Sequence, residues 1–229
     1  MKIIQEHSLN YDDVLILPQI STINSRKDVI LERTFQFYHS PRTWTGIPIV
    51  CSNMGFVGHD VCQVMAQNKM ITAIPKFLVI NKMADIVRLC GIDYAWITLG
   101  IQEDDLNRLD KILENFKSQG IETPNFVLDC PNGYITRFPE FCKKVREKTP
   151  ESIICAGNVC TPDMAKILIL NGVDIVKIGI GPGSMCTTRI KTGVGLGQLT
   201  ANLWCSEVHG VKYCDKRLGL IMSDGGCNV

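Results

Sequence analysis

One cysteine in this chain stands where sulfur chemistry is possible. The segment Gly179-Ile-Gly-Pro-Gly-Ser-Met-Cys-Thr-Thr-Arg189 leaves an apolar stretch, bends through three glycines and a proline, and then presents Cys186. Glycine has no Cβ, so such a loop lets backbone approach a ligand closely. Thr187, Thr188 and Arg189 follow at once, offering hydroxyls and a cation that favour a thiolate. Polar or glycine-bearing groups close other apolar runs as well: Ser52-Asn53-Met54-Gly55, Lys76, Gly100, Asp129-Cys130-Pro131-Asn132, Gly157-Asn158 and Ser223-Asp224-Gly225-Gly226. Asp224 can accept hydrogen bonds from hydroxyls, and the glycines after it admit an anion close to backbone N–H groups. Taken singly, Asp-Gly-Gly is weak evidence that a tight turn also explains, and a threonine beside a glycine loop usually just caps or turns backbone. A lone Arg26 or Lys76 is more often a solvated surface residue.

The runs that carry these ends are short and apolar: residues 47–51, 71–74, 94–98, 125–129, 152–156, 174–178 and 218–222. They are apolar on both faces, as strands of a parallel sheet covered by helices are. Amphipathic patterns lie between them, among them 104–119, 138–148 and 162–171. The last has Thr161 as N-cap, Pro162 at the first helical position and Gly172 as its stop. Unbroken strand–helix alternation predicts a parallel α/β fold. Polar groups at the ends of nearly all the strands predict a (β/α)8 TIM barrel, because a doubly wound sheet gathers its chemistry at one switch point. Seven strand candidates are one short of closure. The expectation is a single barrel domain over residues 1–229, truncated after its seventh strand, with the C-terminal strand–helix unit missing.

The 229 residues are 45% hydrophobic and 21% charged with a formal charge of +1, which argues against an extended basic surface for nucleic acid or an anionic membrane. The start of the chain has no signal-peptide core, and no run approaches about 18 apolar residues, so a cytoplasmic protein is expected. Eleven cysteines without a CxxC pair or secretion signal are expected to be reduced, and most of them buried as small hydrophobes, as Cys51, Cys130 and Cys155 in their apolar runs suggest.

The loop ending in Cys186 resembles the catalytic loop of the IMP dehydrogenase/GMP reductase family. The resemblance extends through Asp12-Asp-Val-Leu-Ile-Leu-Pro18, Ser25-Arg26, Ala156-Gly-Asn-Val159 and Ser223-Asp-Gly-Gly226, and so covers almost the whole chain. Ile190-Lys-Thr-Gly-Val-Gly195, Gln198-Leu199 and Leu128-Asp-Cys-Pro-Asn-Gly-Tyr134 are similar to the reductase branch. About twenty residues separate the second and third strands, without the CBS domains that dehydrogenases usually insert there. The resemblance implies an oxidoreductase of purine nucleotide metabolism: NADPH-dependent reductive deamination of GMP to IMP and ammonia through a thioimidate on Cys186. An IMP dehydrogenase lacking CBS domains and a non-catalytic nucleotide-binding homologue are the alternatives.

By the same resemblance, Cys186 attacks the purine at C2 and Thr188 relays a proton, with a glutamate that the family carries on a loop later than Val229. Ser184, Asp224, Gly225 and Gly226 are implied for GMP. Ser25, Arg26, Lys76, Asp129, Cys130, Pro131, Ile180 and Gly181 are implied for NADPH. Backbone carbonyls of Gly181, Gly183 and Cys186, with Arg189 alongside, are implied for a monovalent cation, K+. A homotetramer is implied too. No GxGxxG follows the first strand, in keeping with a barrel rather than a Rossmann cofactor site. The chain departs from the family pattern at Gly55-Phe56, where an aspartate and a threonine are usual. It departs again at Pro75 and Phe77, where histidines flank the lysine, at Thr98-Leu99, and in a longer segment at 210–217.

Overall fold

The computed structural model describes residues 6–210, 212–213 and 216–227. Two short antiparallel strands come first, β1 (Arg33–Gln36) and β2 (Thr43–Gly46). Then follow β3 (Val50–Cys51), α1 (His59–Gln67), β4 (Ile71–Ile74), α2 (Ile80–Cys90), β5 (Ala95–Leu99) and α3 (Glu103–Ser118). Next are β6 (Phe126–Asp129), α4 (Arg137–Lys148), β7 (Ile154–Val159), α5 (Pro162–Leu170) and β8 (Ile175–Ile178). The short α6 (Thr188–Thr192) and α7 (Gln198–Ser206) precede the small antiparallel pair β9 (Lys212–Tyr213) and β10 (Lys216–Arg217), and then β11 (Leu220–Ser223). Residues 211, 214 and 215 of the longer 210–217 segment, and residues 1–5 at the start of the chain, lie outside the described residues.

Strands β3 to β8 and β11 form one all-parallel sheet in sequential order, curled as part of a barrel. Each expected run supplies one of these strands. The first shortens to Val50–Cys51, because Pro48 has no N–H for a ladder and the Ile47 N–H goes instead to the Lys69 carbonyl at 2.9 Å. Side chains alternate across the sheet. Ile74, Ile97, Leu99, Phe126, Leu128 and Val176 pack outward beneath the helices. Ile71, Ala73, Trp96, Val127 and Cys155 pack inward, where Trp44 and Phe35 of the hairpin close over them. That hairpin has four residues per strand and no long periodic run, and it is absent from the sequence reading.

The strands are not apolar on both faces throughout. Lys177, only 7% exposed, occupies the inner side of β8, and Thr98 shares the face of β5 that carries Trp96. The three helices read from amphipathic patterning occur within a residue or two of their expected limits. Pro162 does open α5, but the Thr161 side chain does not cap it; its hydroxyl lies 2.9 Å from the Tyr134 hydroxyl instead. At the base of the sheet the fully buried Asp174 accepts hydrogen bonds from the N–H groups of Ile154 (2.9 Å) and Ser40 (3.1 Å), and pairs with Arg146 at 2.5 Å. Among the described residues no helix is long and apolar enough to cross a membrane.

Candidate active site

The parallel sheet brings the C-terminal ends of its strands to one rim. A cavity of about 550 Å³ opens there between the edge strands β3 and β11, with Ser52, Asn53, Trp96, Lys177 and Asp224 in its walls. Gly179 and Gly181 both take positive φ (136° and 65°) as the chain leaves β8, and they turn it onto this rim. The loop then exposes Gly183, Ser184, Met185 and Cys186 and enters α6 at Thr188.

Cys186 Sγ lies 3.2 Å from Thr188 Oγ1. The Thr188 hydroxyl and then its backbone N–H hold the Cys186 thiol below its ordinary pKa, with Arg189 contributing in the same direction. Burial pushes other thiols the opposite way, Cys62 up to about 11 and Cys155 up to about 12. Cys62, Cys130, Cys142, Cys155, Cys160 and Cys205 are buried, and Cys51 and Cys90 half-buried. Cys186 and Cys227 are the exposed thiols among the described residues.

The Arg189 side chain packs alongside Gly181, and its guanidinium is engaged by three acceptors. Its Nε donates to the Ile180 carbonyl (2.9 Å), one terminal nitrogen to Asn10 Oδ1 (3.1 Å), and the other to the Leu196 carbonyl. It is a clamp that ties the cysteine loop to the turn after α6 and to the N-terminal segment. Ser8 and Leu9 reinforce this: the Gly197 N–H donates to Ser8 Oγ at 2.6 Å, and the Leu9 N–H to Thr200 Oγ1 at 2.7 Å. Gly181, Gly183 and Cys186 offer backbone carbonyls on one turn, a donor chemistry that suits a hard monovalent cation. The Gly183 carbonyl already accepts from the Cys186 N–H at 2.9 Å, which leaves its second lone pair.

Asp224 follows β11 on the same rim. Asn158 Nδ2 donates to its carboxylate, and Lys177 Nζ stands 3.7 Å from it. Gly226 packs so closely on the cysteine loop that a Cβ there would lie 2.9 Å from Pro182 Cβ. The Asp224-Gly225-Gly226 turn therefore abuts the Cys186 loop, as a shared ligand site requires. Across the rim Asp129 accepts from Lys177 Nζ at 2.9 Å and from Asn53 Nδ2 at 3.4 Å.

The residues expected to meet the cofactor divide. Asp129, Cys130, Ile180 and Gly181 lie on the rim, and Pro131 is exposed beside them. Cys130 is 2% exposed, with its thiol pushed up by burial, so it offers backbone rather than sulfur chemistry. Lys76 is half-buried after β4, with its Nζ 5.6 Å from the ring centre of Phe77, itself 83% exposed. Thr98 Oγ1 is buried and without a partner in this part of the sheet. Lys76, Thr98 and Asp129 thus fit a polar ligand at the ends of β4 to β6. Ser25 and Arg26 are exposed, and the hydrogen bonds Ser25 N–H to Asp28, Lys27 N–H to Ser25 Oγ, Asp28 N–H to the Ser25 carbonyl and Val29 N–H to the Arg26 carbonyl all stay within the 25–29 turn. The structure does not join them to the rim.

Lys177 and Asn10 are absent from the sequence-based site, and Asn158 and Gln198 enter it only as members of quoted segments, with no contact expected of them. For Lys177 a signal exists: a lysine inside an apolar parallel strand is rarely buried without partners. For Asn10 and Gln198 none does, because their contact spans almost the entire chain; the Gln198 N–H donates to Asn10 Oδ1 at 3.1 Å.

The profile of the IMP dehydrogenase / GMP reductase domain matches residues 95–229. Proteins named GMP reductase from Salmonella paratyphi B, Salmonella newport and Salmonella enteritidis are each 42% identical over 235 aligned residues, covering 100% of this chain and 65% of their own length. The chain thus spans about two-thirds of these curated relatives. The crystal structure of inosine 5′-monophosphate dehydrogenase from Legionella pneumophila superposes with a TM-score of 0.77 at 26% identity, covering 97% of this chain and 63% of that one.

Proposed function

The chain belongs to the IMP dehydrogenase/GMP reductase family, and on that premise we propose that it acts as an NADPH-dependent GMP reductase, converting GMP to IMP and ammonia. The observation that carries this is the exposed Cys186 thiol, activated by Thr188 and flanked by the Asp224–Gly226 turn. The similarity to proteins named GMP reductase supports the direction of the reaction.

In this reading the Asp224 carboxylate accepts hydrogen bonds from the GMP ribose, and Ser184 and the N–H groups of Gly225 and Gly226 receive its phosphate. Cys186 Sγ attacks C2, forming the S–C2 bond as the C2–N2 bond breaks, and the amine leaves as ammonia. Thr188, 3.2 Å from Sγ, passes the proton that the departing nitrogen needs. Lys76, Asp129–Pro131 and Ile180–Gly181 would hold NADPH, which would supply a hydride for C2. The S–C2 bond then breaks, and the Thr188 hydroxyl again stabilises the sulfur anion. Gly181, Gly183 and Cys186 would hold K+ through their carbonyls, fixing the loop.

We further place the protein in the cytoplasm as a homotetramer. Ten free cysteines among the described residues suit a reducing compartment. Leu15 and Ile16, each 95% exposed, and Ile20 suit an apolar arm that a second copy covers. Ser25 and Arg26 lie on that same arm, so a neighbouring copy is where they would meet a cofactor.

The test is consumption of NADPH absorbance on adding GMP, with IMP and ammonia identified as products. Cys186→Ala should abolish turnover and keep the wild-type melting temperature, since an exposed thiol contributes little packing. Wild-type turnover in that variant refutes the mechanism. NADH formation from IMP and NAD+ with XMP as product would assign the dehydrogenase reaction instead.

A further inference from the structure

Lys177 sits at the centre of the rim, yet it has no part in the chemistry above. It is 7% exposed, on the inner face of β8, and its ammonium meets two carboxylates from different strands: Asp129 Oδ1 on β6 at 2.9 Å and Asp224 Oδ2 after β11 at 3.7 Å. These two groups fall on opposite halves of the site, Asp224 on the nucleotide side and Asp129 on the cofactor side. Each also has a neutral amide partner, Asn158 Nδ2 for Asp224 and Asn53 Nδ2 for Asp129. An amide orients a carboxylate but does not neutralise it. Lys177 is the cation paired with both.

The sheet is built to let the Lys177 backbone and Cβ approach β7 closely. Gly157 lies opposite Lys177 in the β7–β8 register, and a Cβ there would meet the Lys177 carbonyl at 2.4 Å and its Cβ at 2.7 Å. Burial alone would lower the Lys177 pKa, but Asp224 and Asp129 outweigh it and hold the ammonium above its ordinary value. The group stays charged at neutral pH.

We propose that Lys177 is a positioning residue which holds Asp129 and Asp224 on one buried cation, so that the cofactor and nucleotide half-sites are set by the same side chain. The proposal rests on the GMP reductase reading for the identity of the ligands and on geometry alone for the arrangement. Lys177 acts through the two carboxylates, and its removal leaves them facing each other without a countercharge.

The experiment measures GMP and NADPH binding by calorimetry to wild type, Lys177→Met, and the double variant Lys177→Met/Asp129→Asn, with thermal melting to establish that each is folded. Lys177→Met should weaken both ligands by about tenfold or more. Neutralising Asp129 in that background should recover several-fold of the lost GMP affinity, because one unpaired carboxylate then remains beside the site instead of two. A merely structural lysine would not be rescued in this way. Wild-type affinity for either ligand in Lys177→Met, or no recovery of GMP binding in the double variant, overturns the proposal. If Lys177→Met does not fold, Lys177→Gln takes its place with the same expected outcomes. A ligand-free crystal structure supplies a readout independent of GMP: Asp129 and Asp224 should leave their wild-type positions in Lys177→Met, and unmoved carboxylates overturn the proposal. A wild-type chain that binds no GMP overturns the function while this structural result still decides the role of Lys177.

Discussion

Gly157→Ala should be one of the most disruptive single-methyl additions near the rim. The new Cβ would sit 2.4 Å from the Lys177 carbonyl oxygen and 2.7 Å from Lys177 Cβ. Cβ contacts closer than 3.0 Å essentially never occur and ordinary van der Waals contact begins at 3.4 Å, so strands β7 and β8 must part locally. The obstructing atoms are backbone and Cβ in the sheet interior, and no rotamer change removes them. Overpacking of this kind costs about 1–3 kcal/mol, and the rigid neighbour places this case at the upper end. For a chain of this size about 3 kcal/mol lowers the melting temperature by roughly 6–12 °C. Gly55→Ala is the matched control: a Cβ there meets nothing within 4 Å, and stability should stay within about 0.5 kcal/mol of wild type. Calorimetry or urea denaturation of both variants is the assay. A Gly157→Ala protein that melts with the wild type would refute the inferred packing of β7 against β8, and with it the close approach argued for Lys177.

Thr188→Val removes the hydroxyl that contributes most to lowering the Cys186 thiol. A lowered thiol pKa means more thiolate at neutral pH, so in the variant the pH profile of Cys186 alkylation, followed by peptide mapping, should move to higher pH; an unmoved profile contradicts the assignment. Asp174→Ala deprives buried Arg146 of its carboxylate and orphans the N–H groups of Ile154 and Ser40, and should cost about 3–5 kcal/mol in urea denaturation. A loss below about 1 kcal/mol would show that Arg146 is not held by this pair. Arg189→Lys cannot reproduce the fork to Ile180, Asn10 and Leu196, so hydrogen exchange across 180–197 should accelerate while the sheet amides stay protected.

Local chemistry explains why so much of the sheet is readable in one dimension. Ile154 and Ile175, and the runs around them, are β-branched and bounded by turn residues, and each became a strand. Proline opening α5 and Gly172 after it, at φ 93°, marked a helix that exists. Thr161 shows the limit of such local rules. It has the right residue type for a cap, but its hydroxyl pairs instead with that of Tyr134, from the loop between β6 and α4. The β1–β2 hairpin escaped because its stability comes from Trp44 and Phe35 packing under the sheet, an energy with no local signature.

The same division runs through the site. Residue type and order alone placed an exposed cysteine on a glycine bend beside Thr188, because the thiol and the hydroxyl that lowers its pKa are two residues apart. Sequence likewise put Asp224 ahead of two glycines, both at positive φ and the second packed against Pro182. Tertiary structure decided what these groups face. Lys177 lies 48 residues from Asp129, and Asn10 lies 179 from Arg189, so neither pairing has a spacing to read. Parallel strands deliver every C-terminal end to one rim regardless of distance along the chain. Chemistry carried within one turn is written in the sequence; chemistry shared between strands exists only once the sheet has curled.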